Sequence, residues 1–230
     1  MQISNNTIVP SYHSTVTNNN DVKNVSSSFD ALLNEQKQIP QKEEGKVISF
    51  LEKYNGFDSL SETDKNKFKE ILADDKVTIN EMDSLSYEQA EKFFDYAYPI
   101  GTVKYANPND VPLLNISNQI NTMFYSTRAT NDKTLNEAMY KTAREINSDK
   151  ERDIVFDNIN IQLDNLNANR GTVRSDYNYV NNIDGASFIS EMLQKLENYH
   201  SKNSDVLLNG YSILQKNYND VLNEKKETYT

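Results

Sequence analysis

The sequence predicts a mainly α-helical protein with three parts: a disordered polar N-terminal tail, a small helix–loop–helix unit, and a helical bundle ending in an antiparallel helical hairpin. Three observations carry that prediction. From Lys46 onward, apolar residues recur at spacings of three and four, the period of a helix with one buried face. Ser or Thr followed three residues later by Glu, Gln or Asp marks several helix starts. The C-terminal stripe Leu207, Tyr211, Leu214, Tyr218 and Val221 alternates steps of four and three, the seam spacing of a coiled coil.

Taken in order, residues 1–26 are rich in Asn, Ser and Thr, and their few apolar residues (Ile3, Ile8, Val9, Tyr12) follow no period. Such a segment buries too little surface to offset its ordering entropy and is expected to be disordered. Ser27 or Ser28 is placed to cap a short helix with Phe29, Leu32 and Leu33 on one face, ended by Ile39-Pro40. The tail therefore spans 1–42.

Residues 43–99 read as the helix–loop–helix unit. Val47, Ile48, Phe50, Leu51 and Tyr54 form one apolar face, closed by Asn55-Gly56, a left-handed stop. Ser59 with Glu62, or Ser61 with Asp64, opens a second helix bearing Phe68, Ile71 and Leu72. Asp74-Asp75 ends it and Lys76 to Ile79 is extended. Thr78 with Glu81 and Ser86 with Gln89 repeat the capping signature, before a helix with Ala90, Phe93, Phe94 and Ala97 that stops at Pro99. Residues 100–112 are a loop.

The bundle spans 113–230. Its expected faces are Leu113, Ile116, Ile120, Met123 and Phe124; then Leu135, Ala138, Met139, Ala143 and Ile146; then Val155, Ile159, Leu163 and Leu166. A Tyr/Asn-rich irregular stretch follows. The hairpin over 186–226 pairs Ile189, Leu193, Leu196 and Tyr199/His200 with the heptad-spaced stripe across the short turn Ser201–Asp205.

Composition narrows function. With 24 basic against 34 acidic residues the formal net charge is −10, which repels phosphate backbones and excludes a nucleic-acid partner. Lys65, Lys67 and Lys69 are interleaved with Glu62, Asp64 and Glu70 and form a solvated face, not a basic stripe. No apolar run approaches a membrane span. There are no cysteines, hence no disulfides or thiolate chemistry. Met1 to Pro10 has neither a basic nor an apolar signal region, so the chain is expected to be cytoplasmic or exported without a cleaved signal peptide.

No catalytic or cofactor-binding residue is assigned. The two histidines, His13 in the tail and His200 near the end of a helix, form no local metal-binding pair, and His200 suits the negative end of its helix. The stretch Ala73 to Glu81 resembles the second half of an EF-hand loop, set in a helix–loop–helix over 62–97. The resemblance implies calcium ligands at Asp74 and Glu81, with Asp75 standing where the family has glycine and Val77 at the central apolar position. It departs from the family at Glu70, Leu72 and the missing glycine, and supplies too few of the six to eight oxygens that calcium takes. Asp74, Asp75 and Glu81 are thus the metal candidates, against a loop held by caps alone. Asn181 to Gly185 reads as a turn in which Asp184 caps the next helix. Tyr177 and Tyr179 are either a contact surface or a loop packed on helices.

The Ser/Asn/Thr-rich start, the lack of cysteine and the amphipathic C-terminal helices together resemble substrates of flagellar or type III secretion systems, over residues 1–35 and 186–226. In that family an uncleaved N-terminus is read while unfolded and terminal helices pair in assembly or chaperone binding. The functional expectation is therefore a non-enzymatic protein that binds another protein through helix faces, with Tyr177, Tyr179, Leu207, Tyr211, Leu214, Tyr218 and Val221 as contact residues. The alternatives are a calcium-responsive module and a helical hydrolase using Asp or Glu.

Overall fold

A computed structural model of the chain describes residues 45–104, 107–169, 182–198 and 202–228. The expected tail with its short helix, together with Tyr177, Tyr179, His13 and His200, lies outside the described residues. Among the described residues there are nine α-helices. They are α1 (Lys46–Lys53), α2 (Glu62–Leu72), α3 (Ile79–Asp83), α4 (Tyr87–Ala97), α5 (Asn118–Ser126), α6 (Lys133–Glu145), α7 (Asp149–Asn169), α8 (Gly185–Asn198) and α9 (Ser204–Thr228). None of the described helices is long and apolar enough to cross a membrane.

The first four helices start where side chains satisfy their free N–H groups. Ser61 Oγ accepts from Asp64 N at 3.1 Å, which selects Ser61 over Ser59 as the cap of α2. Thr78 with Glu81 and Ser86 with Gln89 form reciprocal capping boxes on α3 and α4. Ile79 is already helical, so the extended run expected over Lys76–Ile79 ends at the cap, Thr78. Asn55 takes a left-handed φ of 56° after α1, and Gly56 N donates back to Leu51 O at 2.7 Å. Val47, Ile48, Phe50 and Leu51 are buried with Phe57, Phe68, Phe93 and Tyr96. Phe68 meets Phe93 edge-on at 5.0 Å between ring centroids.

That aromatic cluster runs on into the rest of the chain. Phe124 of α5 lies 5.9 Å from Phe93 and 5.8 Å from Phe94. Tyr87 of α4 packs on Tyr140 of α6 at 6.0 Å and donates its hydroxyl to Thr127 O at 2.9 Å. Arg128 closes the same seam with both guanidinium nitrogens on the Asp95 carboxylate, at 2.7 and 2.9 Å. The described residues accordingly make one unit with one core.

Helix α6 is the centre of the remainder. Leu135, Ala138, Met139, Tyr140 and Ala143 are buried, and so are Asn136 and Thr142. A helix enclosed on most sides must pair its polar groups internally. Asn136 does so by accepting from Thr130 N at 2.9 Å and donating to Thr130 O at 2.8 Å. Helix α9 packs most extensively on α6, then on α8 and α7. Phe188 near the start of α8 meets Tyr211 at 6.3 Å, whereas Gly185 lies against Tyr218, further along α9. The two helices therefore run antiparallel, as the hairpin reading expects.

Two stripes differ from expectation. Leu113 is 93% exposed and α5 begins only at Asn118. The cause is Asn115, which is extended: its carbonyl accepts from Val77 N at 3.0 Å and its N–H donates to Asp75 O at 2.8 Å. A helix cannot pass through a residue paired in that way, so Ser117 provides the cap instead. In α8 the buried residues are Gly185, Phe188, Ile189 and Met192, with Leu193 and Leu196 only partly covered. The helix is turned so that its aromatic residue meets Tyr211.

Candidate functional site

The calcium-like loop joins α2 to α3, and its carboxylates hold backbone donors. Asp75, at a left-handed φ of 55°, reaches back to the first turn of α1. Its Oδ2 accepts from Lys46 N at 2.8 Å and its Oδ1 from Val47 N at 2.9 Å. Asp74 Oδ1 accepts from Lys76 N at 3.2 Å. Glu81 Oε2 accepts from the N–H and hydroxyl of Thr78, each at 2.8 Å. The three candidates thus serve four separate backbone N–H groups, and among the described residues no group of three or more acidic or histidine side chains is gathered for a metal. Asp184 caps α8 through Ser187 N at 2.7 Å, and that backbone bond is the first reason its carboxyl lies below the usual range.

The C-terminal stripe is buried inside this chain. Leu214 and Tyr211 are fully covered, Val221 is 1% exposed, Leu207 7% and Tyr218 8%. These residues face α6, α7 and α8 rather than solvent. Tyr211 donates to Asn158 Oδ1 at 3.0 Å, and burial pushes its hydroxyl far above the ordinary range. Tyr218 donates to Asp132 Oδ2 at 3.3 Å. Asp132 is a junction. Its Oδ1 caps α6 through Thr134 N and Leu135 N at 2.9 and 3.1 Å, and its Oδ2 also takes Gly185 N at 3.0 Å. One carboxylate thereby joins the starts of α6 and α8 to the middle of α9.

The surface left open lies elsewhere. A groove of about 320 Å³ runs between α5 and α7, floored by Met139 of α6 together with Phe156 and Leu163. Thr122, Tyr125 and Ser126 form one wall, and Asp153, Asp157, Asn160 and Asp164 form the other. At about 100° per residue, the α7 residues fall on one face, beside the buried stripe Val155, Ile159 and Leu163. Tyr125 is 55% exposed at the mouth and its ring packs on Phe94 at 5.7 Å. Asn118 Nδ2 donates to Asp153 Oδ1 at 2.6 Å, linking the two walls at one end.

None of these groove residues was singled out by sequence reasoning as a contact. The available signal was the surplus of apolar residues on α7: Phe156 lies off the main stripe yet is 6% exposed, so that helix has a broader face than one neighbour requires. A second recess of about 210 Å³ between α7 and α8 is lined by Leu166, Ile183, Asp184 and Glu191 among others.

No family model matches the sequence, and comparison with curated proteins and with solved structures finds no match either.

Proposed function

We propose that the chain is a non-enzymatic protein–protein interaction protein whose contact surface is the α5–α7 groove. One observation carries this reading: a groove floored by Met139, Phe156 and Leu163, themselves nearly covered, runs between polar walls with Tyr125 half out at its mouth. Aromatic anchors and an apolar centre inside a polar rim are what protein interfaces use. The heptad-spaced stripe is occupied within the fold, so the partner meets the bundle's side rather than its seam. A photo-crosslinking residue in place of Thr122 or Asn160, expressed in the native cell, is expected to give a discrete adduct that the same residue at Glu62 does not. Adducts from neither site, or the same adducts from both faces, would overturn the reading.

With it goes the export reading, supported by the likeness of residues 1–35 to flagellar and type III secretion substrates. Intact chain in the medium, lost on deleting residues 2–26, is the expected result; unchanged localisation after that deletion removes it. The hydrolase alternative has one observation in its favour, the two carboxylates Asp153 and Asp157 one helical turn apart in the groove. It requires a turnover that Asp157→Asn abolishes without affecting crosslinking.

A further inference from the structure

Taking the groove as the contact surface proposed above, we infer that its occupant is a cationic amphipathic helix of another protein. Such a helix would lay its basic residues along Asp153 and Asp157 and insert apolar side chains over Phe156. The reason is the charge of the groove itself, whose lining includes carboxylates and no base among the described residues. On other faces many carboxylates carry a base from the chain itself: Asp83 pairs with Arg144 at 2.6 Å, Asp95 with Arg128 at 2.7 Å, Glu224 with Lys141 at 3.0 Å and Glu145 with Lys216 at 3.3 Å. Asp153 and Asp157, both exposed, have no basic partner among the described residues; Asp153 accepts only from the neutral amide of Asn118. No basic side chain is found among the described residues lining the groove. A chain with 24 basic residues thus leaves Asp153 and Asp157 as an uncompensated negative edge on this half-apolar groove.

The dimensions match a helix better than an extended strand. From Asp153 to Asp164 the wall rises about 16 Å, or about three turns of a partner helix lying alongside. The carboxylates at 153 and 157 are spaced as residues i and i+4, the interval at which a partner helix presents two cations on one face. A volume of about 320 Å³ takes a few inserted side chains and not the helix body. The contact is therefore a helix resting on the groove with anchors inside it. Opposite charge along that line steers encounter and fixes register more than it adds affinity.

The test uses the full chain and three labelled synthetic peptides of about fourteen residues. Each has Leu and Phe on one face and, beside it, Arg, Gln or Glu at positions i, i+4, i+7 and i+11. Anisotropy titrations at low and high salt are expected to show the Arg peptide binding most tightly and weakening with salt. Asp153→Asn with Asp157→Asn should weaken it roughly tenfold or more. The matched charge change Glu62→Gln with Glu70→Gln, on the exposed face of α2, should leave it within about twofold. Equal weakening by both double variants would overturn the inference, since the attraction would then be general to an acidic protein. Equally tight binding of the Gln or Glu peptide, lost on Tyr125→Ala, would also overturn it while leaving the groove as a contact surface. Indifference of all three peptides to every groove substitution would remove both. Concentration-dependent self-association dispersed by the Asp153/Asp157 variant would overturn it in favour of a second copy of this chain. Unchanged thermal melts of the surface variants separate loss of binding from loss of fold.

Discussion

The first four helices and the last four are held in place by groups at very different distances along the chain. In α1–α4 most helix starts are fixed within three residues: Ser61 on Asp64, Thr78 with Glu81, Ser86 with Gln89. In α6–α9 the local caps Asp132 and Asp184 are joined by groups from far away: Asp132 on Gly185 and Tyr218, Asn217 on Thr142, Val155 against Gly210. Local caps define where a helix begins but say little about what it docks against. Long-range clasps determine docking and leave little trace in a short window of sequence. Yet both regions share one core through Phe93, Phe94 and Phe124, so a break in one should be felt in the other.

Leu214→Asp is the strongest way to test that sharing. Leu214 is fully buried, and an unpaired charge there should cost about 4 kcal/mol or more. We expect amide hydrogens of α2 and α4 to lose protection together with those of α6 and α9, measured by hydrogen-exchange mass spectrometry. Retained protection in α2 and α4 would show that the two regions open independently and that the aromatic junction is weak.

The contrast also explains how much was legible beforehand. The helical class, the caps at Thr78 and Ser86, the stop at Asn55 and the buried stripe of α9 all follow rules acting within a few residues, and each is present in the structure. The start of α5 was misplaced because Asn115 is held by Asp75 and Val77, some forty residues earlier, whose reach no local pattern reveals. Asp75 itself illustrates the same point. Its spacing suggested a metal loop, but the acceptor it provides is directed at Lys46 and Val47. The groove was hidden for a related reason: its lining comes from α5, α6 and α7 together, a fact of packing and not of any one helix.

Removing the two carboxylate clasps should rank them. Asp132→Ala abandons acceptors for three backbone N–H groups and the Tyr218 hydroxyl, and we expect a loss of about 2–3 kcal/mol in urea melts. Asp75→Ala abandons two N–H groups at the start of α1, for about 1–2 kcal/mol. Equal losses would mean that the Asp132 ties to Gly185 and Tyr218 add nothing to the holding of one helix start.

Close helix contact should come next. At Gly210 an added Cβ would lie 2.4 Å from Val155 Cγ2 and 2.7 Å from Cγ1. Gly210→Ala should therefore cost about 1–2 kcal/mol, because overpacking outweighs the roughly 1 kcal/mol by which Ala is the better helix former. Val155→Ala in the same chain should relieve most of the cost of Gly210→Ala, leaving only the 3.2 Å approach to the Cβ at 155, a non-additivity that a double-mutant cycle reads directly.

The smallest effect expected is one of pH. Burial, followed by the Asp132 charge, pushes the Tyr218 hydroxyl up from 10.0 to about 12, and burial does the same to Tyr140, also to about 12. A tyrosine whose ionised form is disfavoured in the fold loses its proton first in the unfolded chain. The unfolded state then binds fewer protons, so stability falls as pH rises. The contribution is intact below pH 10 and fades as pH rises towards 12. Tyr218→Phe should lower stability at neutral pH by about 1 kcal/mol, the net value of one hydrogen bond, and should flatten the alkaline decline by removing one of the groups that cause it. Because Tyr140 donates to Met82 O at 3.5 Å and so links α6 to α3, Tyr140→Phe should flatten the same decline without touching the Asp132 clasp. An alkaline slope unchanged by either substitution in pH-resolved urea melts would show that neither hydroxyl is as enclosed as the packing of α6 and α9 requires.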